Sequence, residues 1–291
     1  MCLFSKVKDL RGKLLRNCKY AIDRLEAAKK RVYYFSNTQK DTISATDTSM
    51  ADTTEKRVSY YSSNNQKDAT TGPSATDTPM ADTTDSPQIA KKPESDIRFE
   101  NEDEEIMNSF MILTHGVLIQ EWELFLYGVF AEGVIYYLRG YNFDSPRFNI
   151  NFKNLKPTKE IAALHENIAS EAIESFKGYK QLIDQSLKLF WLTDVKKSEV
   201  GKEMKKHVII RNIWQHSRGK IRPQDLEEYG KNGQYFELFD DEGKLNKRVA
   251  DDPAILSRKD IYMLFDTIEK YSEKFQVQAE KARPPITDST D

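Results

Sequence analysis

The chain has two cysteines among its 291 residues, Cys2 and Cys18, both near its start. So few thiols exclude a disulfide framework and a cysteine-built zinc site. Its four histidines are His115, His165, His207 and His216. No pair of them has metal-ligand spacing, so no metal or other cofactor is expected. A phosphate-cradling glycine loop is also missing, which argues against nucleotide hydrolysis. No apolar run reaches the roughly 18 residues that a membrane span needs. The richest stretch, Met111 to Leu138, is broken by Glu121, Glu123 and Glu132, and reads as a buried helix pair. The first residues lack the continuous apolar core of a secretory leader, so a cytoplasmic protein is expected. The net charge of −2 shows no global basic bias toward nucleic acid.

What is present falls into three parts. Residues 1–32 read as a basic amphipathic helix. Leu3, Val7, Leu10, Leu14, Leu15, Ala21, Leu25 and Ala28 form its apolar stripe, and ten basic residues stand against three acidic ones. Such a helix suits a membrane surface, RNA, a partner's groove, or docking on its own domain. Residues 33–96 are rich in Ser, Thr, Asp, Asn and Gln and contain a tandem duplication. The segment from Lys30 to Thr54 recurs from Lys56 to Thr84. Two polar copies hold too little apolar surface to offset chain entropy, so a disordered linker is expected.

Residues 97–291 read as an all-α helical bundle. The expected helices span about 101–138, 158–192, 198–218 and 257–282, with a small hairpin around Asp241-Glu242-Gly243. In the first, Phe110, Leu113, Val117, Leu118, Trp122, Phe125 and Phe130 follow helical periodicity. His115 reads as a core residue of that helix, and His165 and His207 as surface positions.

The most specific feature is Arg211-Asn212-Ile213-Trp214-Gln215-His216 near the end of the third helix. Asn212 and His216, four apart, share one helix face, with Arg211 and Gln215 on the adjacent row. Ile210, Ile213 and Trp214 point the other way. Histidine exchanges protons near neutral pH. Arginine offers a permanently charged fork matched to phosphate oxygens. Between Lys196 and Arg222 nine basic residues stand against two acidic ones. Lys202, Lys205, Lys206, Arg218, Lys220 and Arg222 are therefore candidate RNA contacts.

Three features together resemble the HEPN superfamily of helical-bundle proteins. They are the early helix with an interior acid, IQEWELFL; the stretch VIIRNIWQHSRGKI, with its RNxxxH ending; and the closing amphipathic helix. The resemblance covers roughly residues 105–280. It implies a metal-independent endoribonuclease that leaves a 2′,3′-cyclic phosphate, often a toxin or an antiphage defence protein. Carried over by position, Arg211 and His216 are the catalytic pair and Asn212 supports them. The family also implies a homodimer in which two motifs meet, and an antitoxin or other protein partner. Members controlled by a nucleotidyltransferase antitoxin have a tyrosine two residues after the histidine. Here that position is Arg218, which argues against that control. Some members are catalytically silent interaction modules, which here would be recruited through residues 1–32.

Overall fold

The computed structural model describes residues 2–61, 94–144, 148, 150, 151, 153–229, 234–240 and 242–283, with side chains outside 35–103. The described residues are mostly helical: α1 Leu3–Tyr61, α2 Glu94–Leu138, α3 Ile161–Glu174, α4 Tyr179–Leu189, α5 Glu199–Ser217, α6 Pro223–Tyr229 and α7 Arg258–Lys281. A 3₁₀ turn, Thr193–Lys197, joins α4 to α5. The strands β1 Phe236–Phe239 and β2 Leu245–Arg248 pair antiparallel, with Phe236 opposite Arg248. They form the hairpin expected at Asp241-Glu242-Gly243. The chain belongs to the all-α class.

Two compact units divide the chain: residues 1–27 with 108–291, and residues 28–107. In the first unit the N-terminal helix docks on its own domain, one of the settings its stripe suited. Its apolar stripe is spent on its own domain, with Leu3, Val7, Leu14, Cys18 and Leu25 all buried. Polar contacts fix the docking. Asn17 donates to Glu121 on α2 at 2.8 Å. Arg11 donates to Ser272 on α7 at 3.2 Å, and Glu26 accepts from Arg258 at 2.6 Å. Lys8, Lys13, Arg16 and Lys19 face solvent, so the exposed side is basic.

In the second unit, α1 runs past residue 32 as far as Tyr61, and α2 already starts at Glu94. No glycine or proline occurs between Gly12 and Gly72, so nothing local stops the helix. Most of the second repeat copy and the rest of the expected linker lie outside the described residues.

Two further expectations change. The stretch Met111–Leu138 is one helix, as the span 101–138 anticipated, and not the pair that its three glutamates suggested. Its apolar residues also divide: Leu118, Trp122, Phe125, Leu126 and Phe130 are buried, whereas Leu113 is 66% exposed and Phe110 and Val117 are also exposed. No described helix is long and apolar enough to cross a membrane. The helix expected over 158–192 is two. Gly178, with φ of 150°, sits at the N-cap of α4 and re-aims the chain.

The core of the first unit is aromatic. Trp122 stacks on Tyr271 at 5.1 Å, and Phe275 packs against Phe125 and Phe190 at 5.9 and 5.5 Å. Each such ring contributes roughly 1.5–3 kcal/mol through burial alone, which fixes α2 and α7 against each other. The start of α7 is set by a capping box between Ser257 and Asp260. Asp260 also accepts from the Phe239 backbone at 3.3 Å, so one buried carboxylate ties the hairpin to α7.

Candidate functional site

The helix carrying the motif is positioned at both ends. Ser198 caps α5, accepting from the Gly201 backbone at 3.3 Å. At the far end Arg218 and Gly219 both take left-handed conformations, φ 52° and 81°. A Cβ on Gly219 would lie 2.5 Å from the Trp214 ring, so only glycine fits where the helix stops. Trp214 donates to the Ala254 carbonyl at 3.0 Å, and Ala254 donates back to Gly219 at 2.8 Å. The last turn of α5, with His216 on it, is thus pinned to the segment that leads into α7.

Ile210 and Ile213 are buried, as the helix face required, and Trp214 is half-buried. On the other side, Arg211, Asn212 and His216 all line one groove of about 1250 Å³ beside α4 and α5. Lys205 lines it too, with Lys196 from the 3₁₀ turn, Lys180 on α4 and Lys177 just before it. Asp184 and Glu228 are the groove's carboxylates, and Tyr179 and Tyr271 form part of its floor. A second cavity of about 450 Å³, around Asn151, Asn154, Glu171 and Glu174, holds none of the motif residues.

The two motif side chains stand in different settings. His216 is exposed on the last turn of α5. Arg211 is held: Nη1 and Nη2 donate to the two carboxylate oxygens of Glu123 on α2, at 3.0 and 2.8 Å. The side chains are only 17% and 21% exposed. This is the fork-to-fork geometry in which arginine binds carboxylate or phosphate best. Arg211 Nε is buried and meets no partner among the described residues.

The residues assigned to RNA divide. Lys205 lines the groove and donates to the Glu228 carbonyl oxygen. Lys202 is exposed and pairs with Glu199 at 2.8 Å. Lys220 is exposed and pairs with Asp251 at 2.9 Å, and Arg218 is exposed at the helix end. Arg222 pairs with Asp225 at 2.7 Å, which lies one helical turn on. None of these four lines the groove. Lys206 must be withdrawn as an RNA contact. It is 4% exposed, its ammonium pairs with Glu203, and it reaches the Glu237 carbonyl at 3.5 Å.

His207 is a second correction: it is fully buried rather than on the surface. Its position explains this, because Glu203, His207 and Arg211 recur every four residues along one face of α5. That face meets α2. His207 Nδ1 lies 3.1 Å from Nε2 of His115, itself in the core as expected, and His207 Nε2 lies 3.2 Å from Glu203 Oε1. A proton on His207 Nε2 would face this carboxylate and leave Nδ1 to accept from His115. Burial pushes both imidazoles below their ordinary range, His115 strongly so, helped by His207, Arg211 and Lys206 nearby. Burial alone would raise the Glu203 carboxyl, but His207 and Lys206 outweigh it and bring it down to about 2.

In the sequence Glu123 stood out only as an interruption of an apolar helix and as part of the acidic interior of IQEWELFL, with no partner named, and nothing marked Lys177 and Lys180. The two lysines flank Gly178, whose turn places them at the groove. No family model, no curated protein and no solved structure matches the chain.

Proposed function

We propose that the chain is a HEPN-type endoribonuclease that cuts RNA without a metal ion. The observation that carries the reading is the convergence of Arg211, Asn212 and His216 on one open groove edged by Lys177, Lys180, Lys196 and Lys205. Lysines along a groove suit a polyanion, whose binding releases counterions. In the reaction, His216 takes the proton of the ribose 2′-hydroxyl. The 2′-oxygen bonds to phosphorus as the bond to the 5′-oxygen breaks, leaving a 2′,3′-cyclic phosphate. Arg211 stabilises charge on the phosphoryl oxygens, and Asn212, one turn before His216, supports the pair. The departing 5′-oxygen needs a proton from a second acid. One chain supplies one such histidine, so a symmetric dimer that brings two motifs together completes the chemistry. The exposure of His216 leaves it within reach of a second copy. A place in toxin or antiphage defence, with an antitoxin or other protein as partner, follows from the same reading.

One observation favours a second reading. The Arg211 fork is already matched to Glu123, as in an arginine that simply clamps α2 to α5. On that reading the chain is a non-catalytic helical module. Recruitment would then use the basic face of α1, because its apolar stripe is buried.

The deciding experiment incubates wild type and His216→Ala with total cellular RNA in excess chelator. The ribonuclease reading expects cleavage by wild type alone, with cyclic phosphate ends. Intact RNA in both samples removes it.

A further inference from the structure

Trp191 stands where a helix normally ends in glycine. The Leu192 N–H reaches back to the Leu187 carbonyl at 2.7 Å, and the Trp191 N–H to Lys188 at 3.1 Å. That pair of bonds is the Schellman ending, in which the residue after the cap turns left-handed. Trp191 accordingly has φ of 54°. A bulky side chain is disfavoured there, and the retained ring calls for a reason.

Covering the core accounts for only one face of the ring, the face on Phe143, which in turn packs on Phe190. The neighbours Phe190 and Leu192 are 0% and 5% exposed and already close the end of α4. Trp191 remains 37% exposed. Its ring lies nearly parallel to Phe143, with 11° between planes and 5.5 Å between centroids, and Phe143 is itself buried. One face of the indole is therefore backed by a fixed aromatic, and the ring keeps substantial exposure. The turn it occupies connects α4 to the 3₁₀ segment, and both contribute residues to the groove. Lys188, Lys196 and Lys197 surround it in sequence; Lys196 and Lys197 are exposed, and Asp184 pairs with Lys196 at 2.6 Å. Trp191 does not itself line the groove but lies in the chain between Gln185 and Lys196, which do. A backed, partly exposed aromatic with basic residues nearby in the chain is how proteins hold unpaired bases, whose faces stack whatever their identity.

We propose that Trp191 is a stacking platform for an unpaired nucleobase of the RNA strand that enters the α4–α5 groove. This rests on the ribonuclease reading and adds to it a substrate class, single-stranded rather than duplex RNA. In a duplex the bases are stacked on one another and are not free to cover the indole.

The test uses the full chain with His216→Gln as parent, which prevents turnover. Its affinity is measured for a short unstructured fluorescent RNA and for the same sequence as a duplex. Trp191→Gly suits the left-handed backbone and removes the ring; Trp191→Asn, also tolerated there, repeats the comparison should the glycine variant fold poorly. Loss of the ring is expected to weaken single-strand binding roughly five- to a hundred-fold and leave duplex binding unchanged. Trp191→Phe is expected to restore most of the affinity. Unchanged single-strand affinity in both ring-less variants, or equal losses on strand and duplex, overturns the platform while leaving the ribonuclease reading in place. A parent that binds neither RNA overturns both.

Discussion

Removing either half of the Arg211–Glu123 clamp exposes what the clamp is for. The two bonds of 3.0 and 2.8 Å link side chains that are about four-fifths buried. Exposed pairs of this kind contribute about 0.2–1 kcal/mol, whereas breaking a fully buried one costs about 3–5 kcal/mol. This pair lies between the limits, so Glu123→Ala or Arg211→Ala is expected to cost about 2 kcal/mol. The cost comes mainly from the orphaned charge left in the α2–α5 interface. Deleting both partners orphans neither, so the double variant is expected to be no less stable than either single one. In a domain of this size that is a fall in Tm of about 4–8 °C for each single variant, without addition in the double. Urea and thermal unfolding of the four proteins measure the cycle. If the double variant loses the sum of the two single losses, the groups do not hold each other, and the clamp is wrong. The same variants separate the two functional readings. Under the ribonuclease reading Glu123→Ala also lowers RNA cleavage, because an unpinned guanidinium is no longer held at the groove. Under the module reading there is no cleavage to lose.

Two further outcomes are expected. His115 and His207 are held neutral by burial, below their ordinary range, so the unfolded chain takes up protons that the folded one refuses. Their stabilisation is complete above the unfolded histidine value of about 6.5 and is lost as pH falls below it, by up to about 1.4 kcal/mol per pH unit for each. Glu203 acts in the same direction at lower pH, since its stabilisation is lost between the ordinary carboxylate range and about 2. Urea midpoints measured from pH 7.5 to 5 test this, and His207→Gln should flatten the dependence; a profile that the substitution leaves unchanged refutes it. The two thiols should also differ. Burial and the nearby Glu121 push Cys18 up to about 12, whereas Cys2 is exposed and lowered by hydrogen bonding to Ser5. A thiol reagent at neutral pH should label Cys2 quickly and Cys18 only on unfolding, and rapid labelling of both would refute the docking of α1.

The sequence alone determined the helical class, the extent of α5 and α7, the hairpin, and the convergence of Arg211, Asn212 and His216. These depend on local spacing: a period of 3.6 residues places neighbours along a helix, and a tight turn pairs two adjoining strands, without reference to the rest of the chain. Tertiary structure decided everything that needed an element from elsewhere in the chain. The apolar stripe of α1 was plain, but its burial against α2 and α7 depended on surfaces far away in sequence. Glu123 looked like an interruption until α5 brought Arg211 to it. Lys206 and His207 looked like members of a basic, solvated face. Their burial follows from which side of α5 meets α2, and periodicity cannot choose that side on a helix with polar residues all round. The amino-acid order gave each helix its faces, and the packing of one helix on another decided which of those faces met water.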